Sequence, residues 1–282
     1  MRINLAKSAG FCFGVKRALK IAVNTAKTEK NVCMLGDIVH NEEVVKLITK
    51  SGIQKITLLS CGKSKTLLIR AHGACRKTFA KAKKLGYRIV DATCPMVKEI
   101  HKIVMEKEKL DFQIIIIGDK NHDEVHGIAG QLKTKAAVID GPEDALLNSL
   151  HGIKKACVVA QSTQNFDKVK KVLKIIKAKI KNVEFFNTIC RPTRIKQEEI
   201  KKMPLKNDVM IIIGSKNSAN SKRLYEISRN LNKNSYWIGS ENEIKKEWFN
   251  NAKSVGITAG ASTPEPAIQA IINHIRNYSS KD

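Results

Sequence analysis

Aromatic residues make up only 5% of this 282-residue sequence, and long apolar runs are missing from it. No stretch of 18 apolar residues occurs, so the sequence offers no candidate for a membrane-spanning segment. The first residues, MRINLAKSAGFCFG, lack the apolar core of a signal peptide. We therefore expect a cytoplasmic protein that does not cross a membrane.

Acidic residues are also scarce, with 26 Asp and Glu against 51 Lys and Arg, which gives a formal net charge of +25. The lysines are scattered and flank apolar helical positions. A nucleic-acid-binding module would need clustered Lys and Arg with stacking aromatic residues, and this sequence has neither. The charge therefore indicates either a solvated basic surface or binding of a phosphorylated small molecule. We expect no nucleic-acid partner.

Seven cysteines are present, an odd number in a sequence without an export signal, so structural disulfides are not expected. The short C-x2-C spacing of closed zinc sites is missing as well. Cys33 and Cys157 lie in apolar strand-like runs and are interpreted as buried small hydrophobic residues. Cys61 has no evident role, whereas Cys75 lies close enough to His72 in the sequence to approach a site there.

What the sequence does contain is a threefold internal repeat. Each repeat has a cysteine, then a helix-like stretch, and then an apolar run that ends at a glycine 24 residues after the cysteine. A polar residue follows four residues later. The cysteine–glycine–polar sets are Cys12, Gly36 and His40; Cys94, Gly118 and His122; and Cys190, Gly214 and Ser218.

Strands and helices that alternate at this spacing predict an α/β fold with mostly parallel sheets. We expect three similar α/β modules, at residues 1–93, 94–187 and 188–282, arranged with pseudo-three-fold symmetry around a central metal site. Ligands of open α/β sheets bind beyond the carboxyl ends of the strands, and the repeated cysteines and polar residues lie at such ends.

Three thiolates from three modules can hold a metal while leaving one coordination position open. Closed structural zinc sites usually have four ligands, and iron–sulfur clusters usually have four cysteines. With three ligands, the metal keeps an open coordination position where it can bind substrate and act as a Lewis acid. Spacing alone leaves both an iron–sulfur cluster and a catalytic mononuclear metal open.

The sequence resembles the 4-hydroxy-3-methylbut-2-enyl diphosphate reductases of the non-mevalonate isoprenoid pathway, from about Asn4 to about Ile275. Eight motifs in order carry the resemblance: GFCFGVKRA, GDIVHN, AHG, DATCP, HDEVHG, NTIC, GSKNSANSKRL and GITAGASTPE.

The resemblance implies reductive removal of a hydroxyl group to give isopentenyl and dimethylallyl diphosphate. It implies a 4Fe-4S cluster with one open iron, and a ferredoxin or flavodoxin as electron donor. The implied cluster ligands are Cys12, Cys94 and Cys190. The implied diphosphate-binding residues are His40, His72, His122, Ser218, Asn220 and Ser262. The implied catalytic residues are Glu124, as proton source, with Ser162 and Thr163.

The sequence departs from the family pattern near these positions. Ser162 replaces a threonine but keeps a hydroxyl group, and Ala219 stands where a second serine is common. Asp123 replaces a proline and adds a carboxylate beside Glu124. Pro192 and Lys196 replace the usual alanine and arginine after the third cysteine.

Three alternatives to this function remain open from the sequence. One is a non-redox metal-dependent hydrolase of a phosphorylated substrate, with zinc on the same cysteines and histidines. Another is a basic nucleic-acid-binding module with a structural metal. The third keeps the fold and the cluster but has a changed substrate, marked by Ala219 and Ser162.

Overall fold

The computed structural model of the protein describes residues 1–147 and 150–279. The strands are β1 (Arg2–Leu5), β2 (Val32–Leu35), β3 (Gln54–Ile56), β4 (Thr66–Ile69), β5 (Arg88–Asp91), β6 (Gln113–Ile117), β7 (Ala137–Ile139), β8 (Lys155–Ala160), β9 (Asn182–Phe186), β10 (Val209–Ile213), β11 (Ser235–Ile238) and β12 (Ser254–Ala259). The helices are α1 (Phe13–Thr28), α2 (Glu42–Lys50), α3 (Arg76–Lys84), α4 (Pro95–Lys109), α5 (Asp123–Ala129), α6 (Pro142–Leu147), α7 (Phe166–Lys179), α8 (Arg191–Ile200), α9 (Ala219–Leu231) and α10 (Glu265–Ser279). Short 3-10 helices lie at Met203–Leu205, Glu241–Glu243 and Lys246–Phe249.

The strands of the described residues form three four-stranded sheets, and every strand pair in them is parallel. Parallel neighbours cannot be joined by a tight turn and need crossover connections, which the intervening helices and loops provide. The predicted α/β fold with parallel sheets is therefore confirmed. The strand orders are β3-β2-β4-β5, β7-β6-β8-β9 and β11-β10-β12-β1.

The same order recurs in all three sheets, and one edge strand of each leads into a cysteine. Strand β5 leads to Cys94, β9 leads to Cys190 and β1 leads to Cys12. The strand before the first cysteine thus belongs to the sheet of the C-terminal strands, where β1 pairs with β12. The module boundaries at residues 1–93, 94–187 and 188–282 stay a prediction.

The chain forms two compact units. The first unit consists of Met1–Lys16, His40–Lys46 and Arg191–Asp282, and it contains the sheet β11-β10-β12-β1. The second unit consists of Arg17–Val39 and Leu47–Cys190, and it contains the other two sheets. Within residues 1–147 and 150–279, no helix is both long enough and apolar enough to cross a membrane.

The central strands are apolar on both faces because helices cover both faces of a parallel sheet. In β10, Ile211 and Ile213 pack in a cluster with residues of α10, whereas Met210 and Ile212 pack with residues of α8 and α9 on the opposite face. Strand β6 divides its isoleucines between two clusters in the same alternating way. Burying each such side chain stabilises the fold by about 1.5–3 kcal/mol, so the strand ends are firmly fixed.

Candidate active site

A cysteine stands directly before a helix at the end of one edge strand in each sheet. Cys12 precedes α1 in the first unit, while Cys94 precedes α4 and Cys190 precedes α8 in the second unit. All three are partly exposed, and none of the seven cysteines, which all lie in the described residues, is in a disulfide. The positive end of a helix dipole stabilises negative charge, so these positions suit metal-binding thiolates.

The backbone holds all three cysteines in the same way. Each cysteine N–H donates to the carbonyl oxygen of the residue that lies two positions after the end of the neighbouring strand. The repeat seen in the sequence is therefore also a repeat in hydrogen bonding. The three bonds are Cys12 N to Ala261 O at 3.1 Å, Cys94 N to Ala71 O at 2.9 Å and Cys190 N to Ser162 O at 3.0 Å.

The remaining cysteines lie in different surroundings. Burial raises the pKa of Cys33, and it raises the pKa of Cys157 to about 12, so both thiols stay protonated at neutral pH. Both pack in apolar clusters, in agreement with their interpretation as small hydrophobic residues. Cys61 is exposed. Cys75 has its Sγ 3.1 Å from Thr78 Oγ1 and lines a cavity of about 140 Å³.

Three partly exposed thiols, each at a helix N-terminus and none of them bridged, fit the ligand chemistry of an iron–sulfur cluster, which cysteine thiolates hold. The two thiols with raised pKa values do not fit it, because a ligand must be deprotonated. The chemistry therefore favours Cys12, Cys94 and Cys190 over the buried Cys33 and Cys157. Cys75 is also partly exposed and stands directly before α3, but it lies outside the threefold repeat.

Two of the predicted histidines come together in the second unit. The rings of His72 and His122 have their centroids 5.6 Å apart and stand nearly perpendicular, at 86°. His122 caps α5, because its Nδ1 accepts a hydrogen bond of 3.1 Å from Glu124 N. That bond requires the neutral tautomer with its proton on Nε2, so this nitrogen can donate to a ligand oxygen.

Glu124 lies in the first turn of α5 and is 1% exposed. Its carboxylate accepts two hydrogen bonds from Ser162, at 2.6 Å from the backbone N and at 2.7 Å from Oγ. Burial raises the pKa of Glu124 above its ordinary value, the two Ser162 bonds partly offset this, and the charge of Asp119 raises it further. Ser162 therefore keeps the hydroxyl contact expected at a position where the family has threonine.

Sequence reasoning missed Gln161, which joins this group to its neighbours. Its Oε1 accepts from Asp119 N at 2.9 Å, and its Nε2 donates to Thr163 Oγ1 at 3.2 Å. Gln161 is fully buried at the end of β8. A glutamine directly after an apolar strand is the signal that would have revealed it.

The added carboxylate of Asp123 lies in the first turn of α5 beside Glu124. Its Oδ2 forms an ion pair of 2.6 Å with Arg70 Nη1, which neutralises the extra charge. The carboxylate that raises the pKa of Glu124 is that of Asp119. The aspartate that replaces proline at position 123 is therefore paired with a cation, Arg70.

The first unit contains the other predicted polar residues. Ser218 caps α9, with its Oγ accepting from Ser221 N at 3.3 Å, and Asn220 lies in the first turn of the same helix. Ser262 Oγ donates to the carbonyl oxygen of His40 at 3.1 Å, which joins two predicted site loops. Asn41 Oδ1 accepts from Val44 N at 3.1 Å at the start of α2. Both helix starts present backbone N–H groups of the kind that bind phosphate.

Asn220 is 4% exposed. Within the part of the chain that the structure describes, its Nδ2 has no hydrogen-bond partner. A buried amide without a partner is costly, and a ligand oxygen would satisfy it. Ala219, where the family often has serine, is the first residue of α9 and offers no side-chain donor. Pro192 is the second residue of α8, a position where the missing N–H of proline costs nothing.

Comparison with known proteins identifies the family of the chain. The profile of the family described as "LytB protein" matches residues 3–276. The 4-hydroxy-3-methylbut-2-enyl diphosphate reductase of Campylobacter fetus is 41% identical and is matched over 100% of both chains. The reductase of Campylobacter hominis is 43% identical over 98% of both chains. That of Aquifex aeolicus is 40% identical, with 97% of this chain and 96% of the relative covered.

Two solved structures are also similar. One is described as (E)-4-hydroxy-3-methyl-but-2-enyl diphosphate reductase, the terminal enzyme of the non-mevalonate pathway. It is 38% identical, with a TM-score of 0.71 over 98% of this chain and 100% of that one. The other is the E-1-hydroxy-2-methyl-but-2-enyl-4-diphosphate reductase of Plasmodium falciparum, which is 29% identical, with a TM-score of 0.91 over 96% of this chain and 87% of that one.

The resemblance inferred from eight motifs is confirmed, and with it the interpretation as an oxidoreductase. The alternative of a non-redox metal-dependent hydrolase is not supported, because the relatives and both structures are named as reductases. The matches extend over almost the whole chain and through both units. The chain therefore belongs to the LytB protein family, whose curated relatives are 4-hydroxy-3-methylbut-2-enyl diphosphate reductases.

Proposed function

We propose that this protein reductively removes the hydroxyl group of 4-hydroxy-3-methylbut-2-enyl diphosphate and releases isopentenyl and dimethylallyl diphosphate. The substrate gains two electrons and two protons, and its hydroxyl group leaves as water. The observation that carries the proposal is the buried Glu124 carboxyl group, which Ser162 holds beside His122 at the carboxyl ends of β6 and β8. Support also comes from the full-length match to reductases.

Cys12, Cys94 and Cys190 hold the cofactor, a 4Fe-4S cluster, through their thiolates. When bound, such a cluster supplies electrons one at a time and an iron with Lewis acidity at its open position. The chain contributes the three helix N-termini, whose dipoles stabilise negatively charged sulfur. It also fixes each cysteine backbone by the repeated hydrogen bond to the neighbouring strand end.

The diphosphate is held by histidine, serine and asparagine side chains and by helix N-termini. His40, His72 and His122 offer ring N–H groups, and Ser218, Asn220 and Ser262 offer hydroxyl and amide donors. The buried amide of Asn220 is available to a ligand oxygen, since Nδ2 lacks a partner within the described residues. Hydrogen bonds to a charged acceptor are about twice as strong as neutral ones, so each of these donors favours the diphosphate.

Glu124 supplies the proton that converts the departing hydroxide into water. Hydroxide is a poor leaving group, and an acid with a raised pKa remains protonated closer to neutral pH. Ser162 Oγ, 2.7 Å from the carboxylate, can orient that proton or pass it on, because a hydroxyl group both donates and accepts. Thr163 Oγ1 accepts from Gln161, whose Oε1 accepts from Asp119 N in the loop before α5.

The electrons come from a ferredoxin or a flavodoxin, carriers that deliver electrons one at a time, and the reaction takes place in the cytoplasm. The net charge of +25 favours encounter with an acidic electron carrier. The chain's own surface therefore attracts such a donor before any specific contact is made.

The proposal is tested by anaerobic reconstitution with iron and sulfide, followed by addition of a reduced one-electron dye and 4-hydroxy-3-methylbut-2-enyl diphosphate. We expect substrate-dependent oxidation of the dye in the unaltered protein and almost none in Glu124→Gln. Glu106→Gln, an exposed change on α4, is the matched control and should keep full activity. A protein that holds its cluster but does not turn over this diphosphate would refute the substrate.

A further inference from the structure

Lys196 is a buried cation that the proposed reaction does not use. It lies on α8 and is 2% exposed. Its Nζ donates to the carbonyl oxygens of Gly10 at 3.0 Å and Ala259 at 3.1 Å, and also to that of Ser8. An ammonium group has three N–H donors, so these three carbonyls satisfy it completely. Burial lowers its pKa to about 8, which leaves it protonated at neutral pH.

The three carbonyls belong to the two chain segments that support Cys12. Ser8 and Gly10 lie in the loop that leads to this cysteine from β1. Ala259 is the last residue of β12, two positions before Ala261, whose carbonyl accepts the Cys12 N–H. One ammonium group thus ties the approach to the cysteine to the strand end that holds it.

Glu199, one turn farther along α8, binds the donor groups of the same loop. Its carboxylate accepts from Lys7 N at 2.6 Å, from Ser8 N at 3.0 Å and from Ser8 Oγ at 2.5 Å. Lys196 donates to carbonyl oxygens of the loop, and Glu199 accepts from its N–H and hydroxyl groups. The two side chains therefore hold both the acceptors and the donors of the loop. We call these two residues the α8 clamp.

Gly10 adds a conformational constraint to the same loop. Its φ of +85° lies in the region that favours glycine. A Cβ added there would meet Ile268 Cδ1 at 3.2 Å and Thr263 O at 3.4 Å. The loop is therefore held in an unusual conformation against α10 while Lys196 binds its carbonyl oxygens.

From this geometry we infer that Lys196 is a positioning residue for Cys12, and that its buried positive charge favours the reduced state of a cluster bound there. The positioning of Cys12 depends only on the contacts of the α8 clamp within the first unit. The effect of the charge on the cluster rests on the proposed function, because it requires Cys12 to be a cluster ligand. Negative charge added to a cluster by reduction is stabilised by a nearby cation in surroundings of low dielectric constant.

The first measurement follows backbone hydrogen exchange of the apoprotein over residues 6–12. We expect Lys196→Met and Glu199→Gln each to accelerate exchange there by about tenfold, as loss of local hydrogen bonds does, and to leave β6 unchanged. Lys196→Arg should restore protection. Unchanged exchange at residues 6–12 in both clamp variants would overturn the positioning role, whether or not the protein binds a cluster.

The second measurement is the midpoint potential of the reconstituted protein, followed by its electron paramagnetic resonance signal. Lys196→Met should lower the potential by about 59 mV, a tenfold change for a one-electron couple. Lys196→Arg should return it, and Lys202→Met, an exposed charge removal, should leave it unchanged. An unchanged potential in Lys196→Met with normal iron content would overturn the electrostatic role.

Should Lys196→Met not fold, Glu199→Gln and Lys196→Arg carry the test. The glutamine variant keeps the lysine charge, so it should loosen residues 6–12 without lowering the potential. A lowered potential in that variant would overturn the assignment of the charge effect to Lys196. An unaltered protein that binds no iron and sulfide would instead refute the proposed function, and hydrogen exchange would still decide the positioning role.

Discussion

Replacing Glu124 with glutamine should stabilise the protein at alkaline pH while removing its activity. The pKa of Glu124 is raised from its ordinary value of 4.5, chiefly by burial, with the Ser162 bonds in partial opposition. A carboxyl group with a higher pKa in the folded state binds more protons when folded than when unfolded. Stability therefore falls as pH rises from about 4.5 to the folded-state pKa, and it is level above that value.

Glutamine has nearly the same shape and carries no charge, so it does not suffer this loss. Its Oε1 can accept from Ser162 N, and its Nε2 can donate to Ser162 Oγ. At pH 8 we expect Glu124→Gln to exceed the unaltered protein by about 1–3 kcal/mol, the range for buried polar groups that are incompletely compensated. Each kcal/mol of added stability should raise Tm by ~2–4 °C in a unit of this size.

The assay is thermal unfolding of the apoprotein at several pH values between 4.5 and 8, with Glu106→Gln as the control. The stability gain of Glu124→Gln should shrink steadily as pH falls toward 4.5, whereas the control should show no such trend. Equal pH dependence in all three proteins, or a less stable glutamine variant at pH 8, would refute the reasoning. Glu124 would then be an ionised carboxylate well held by Ser162, and not a proton donor.

Three further predictions concern the cysteines, the serine hydroxyl and a glycine contact. Cys190→Ser should lose most of its iron on reconstitution, whereas Cys157→Ser should keep it; iron and sulfide analysis decides, and equal loss would contradict the ligand assignment. Ser162→Ala should lower kcat by about 10- to 100-fold, since it removes a group beside the proposed acid, whereas Ser162→Thr should keep kcat within a few-fold; steady-state kinetics checks this. Gly260→Ala should lower the free energy of unfolding by about 1–3 kcal/mol, because its Cβ would lie 2.1 Å from Ser221 Oγ. Adding Ser221→Ala should recover most of that loss in urea unfolding, as this Oγ has no hydrogen-bond partner in residues 1–147 and 150–279.

The repeat made the parallel α/β fold and the cysteine positions predictable from sequence. Hydrophobic periodicity and strand-end glycines are local signals, and each predicted cysteine does follow a strand and precede a helix. Local signals do not specify which strands pair. The membership of β1 in the sheet of β12 could not be inferred, because Ser254 lies 249 positions after Leu5 in the sequence.

Residues of the candidate site were predictable where they belong to a sequence motif, but their contacts were not. Glu124 and Ser162 were both expected, but their pair of hydrogen bonds depends on the register between β6 and β8. In the sequence Lys196 stands out only as a departure from arginine, and no pattern reveals the three carbonyls that it binds. Such contacts arise from tertiary packing, which periodicity does not encode.

The pairing of β1 with β12 sets the order in which the protein can mature during synthesis. Strands β2 to β9 find all their partners within residues 32–186, so their two sheets can form while the rest of the chain is still being made. Strand β1 leaves the ribosome before them and has no sheet to join until β12 has emerged. The loop that carries Cys12, whose N–H is bound by Ala261, is therefore among the last parts to be ordered. Loading of the proposed cluster would then follow translation, at a stage when Cys94 and Cys190 are already in place.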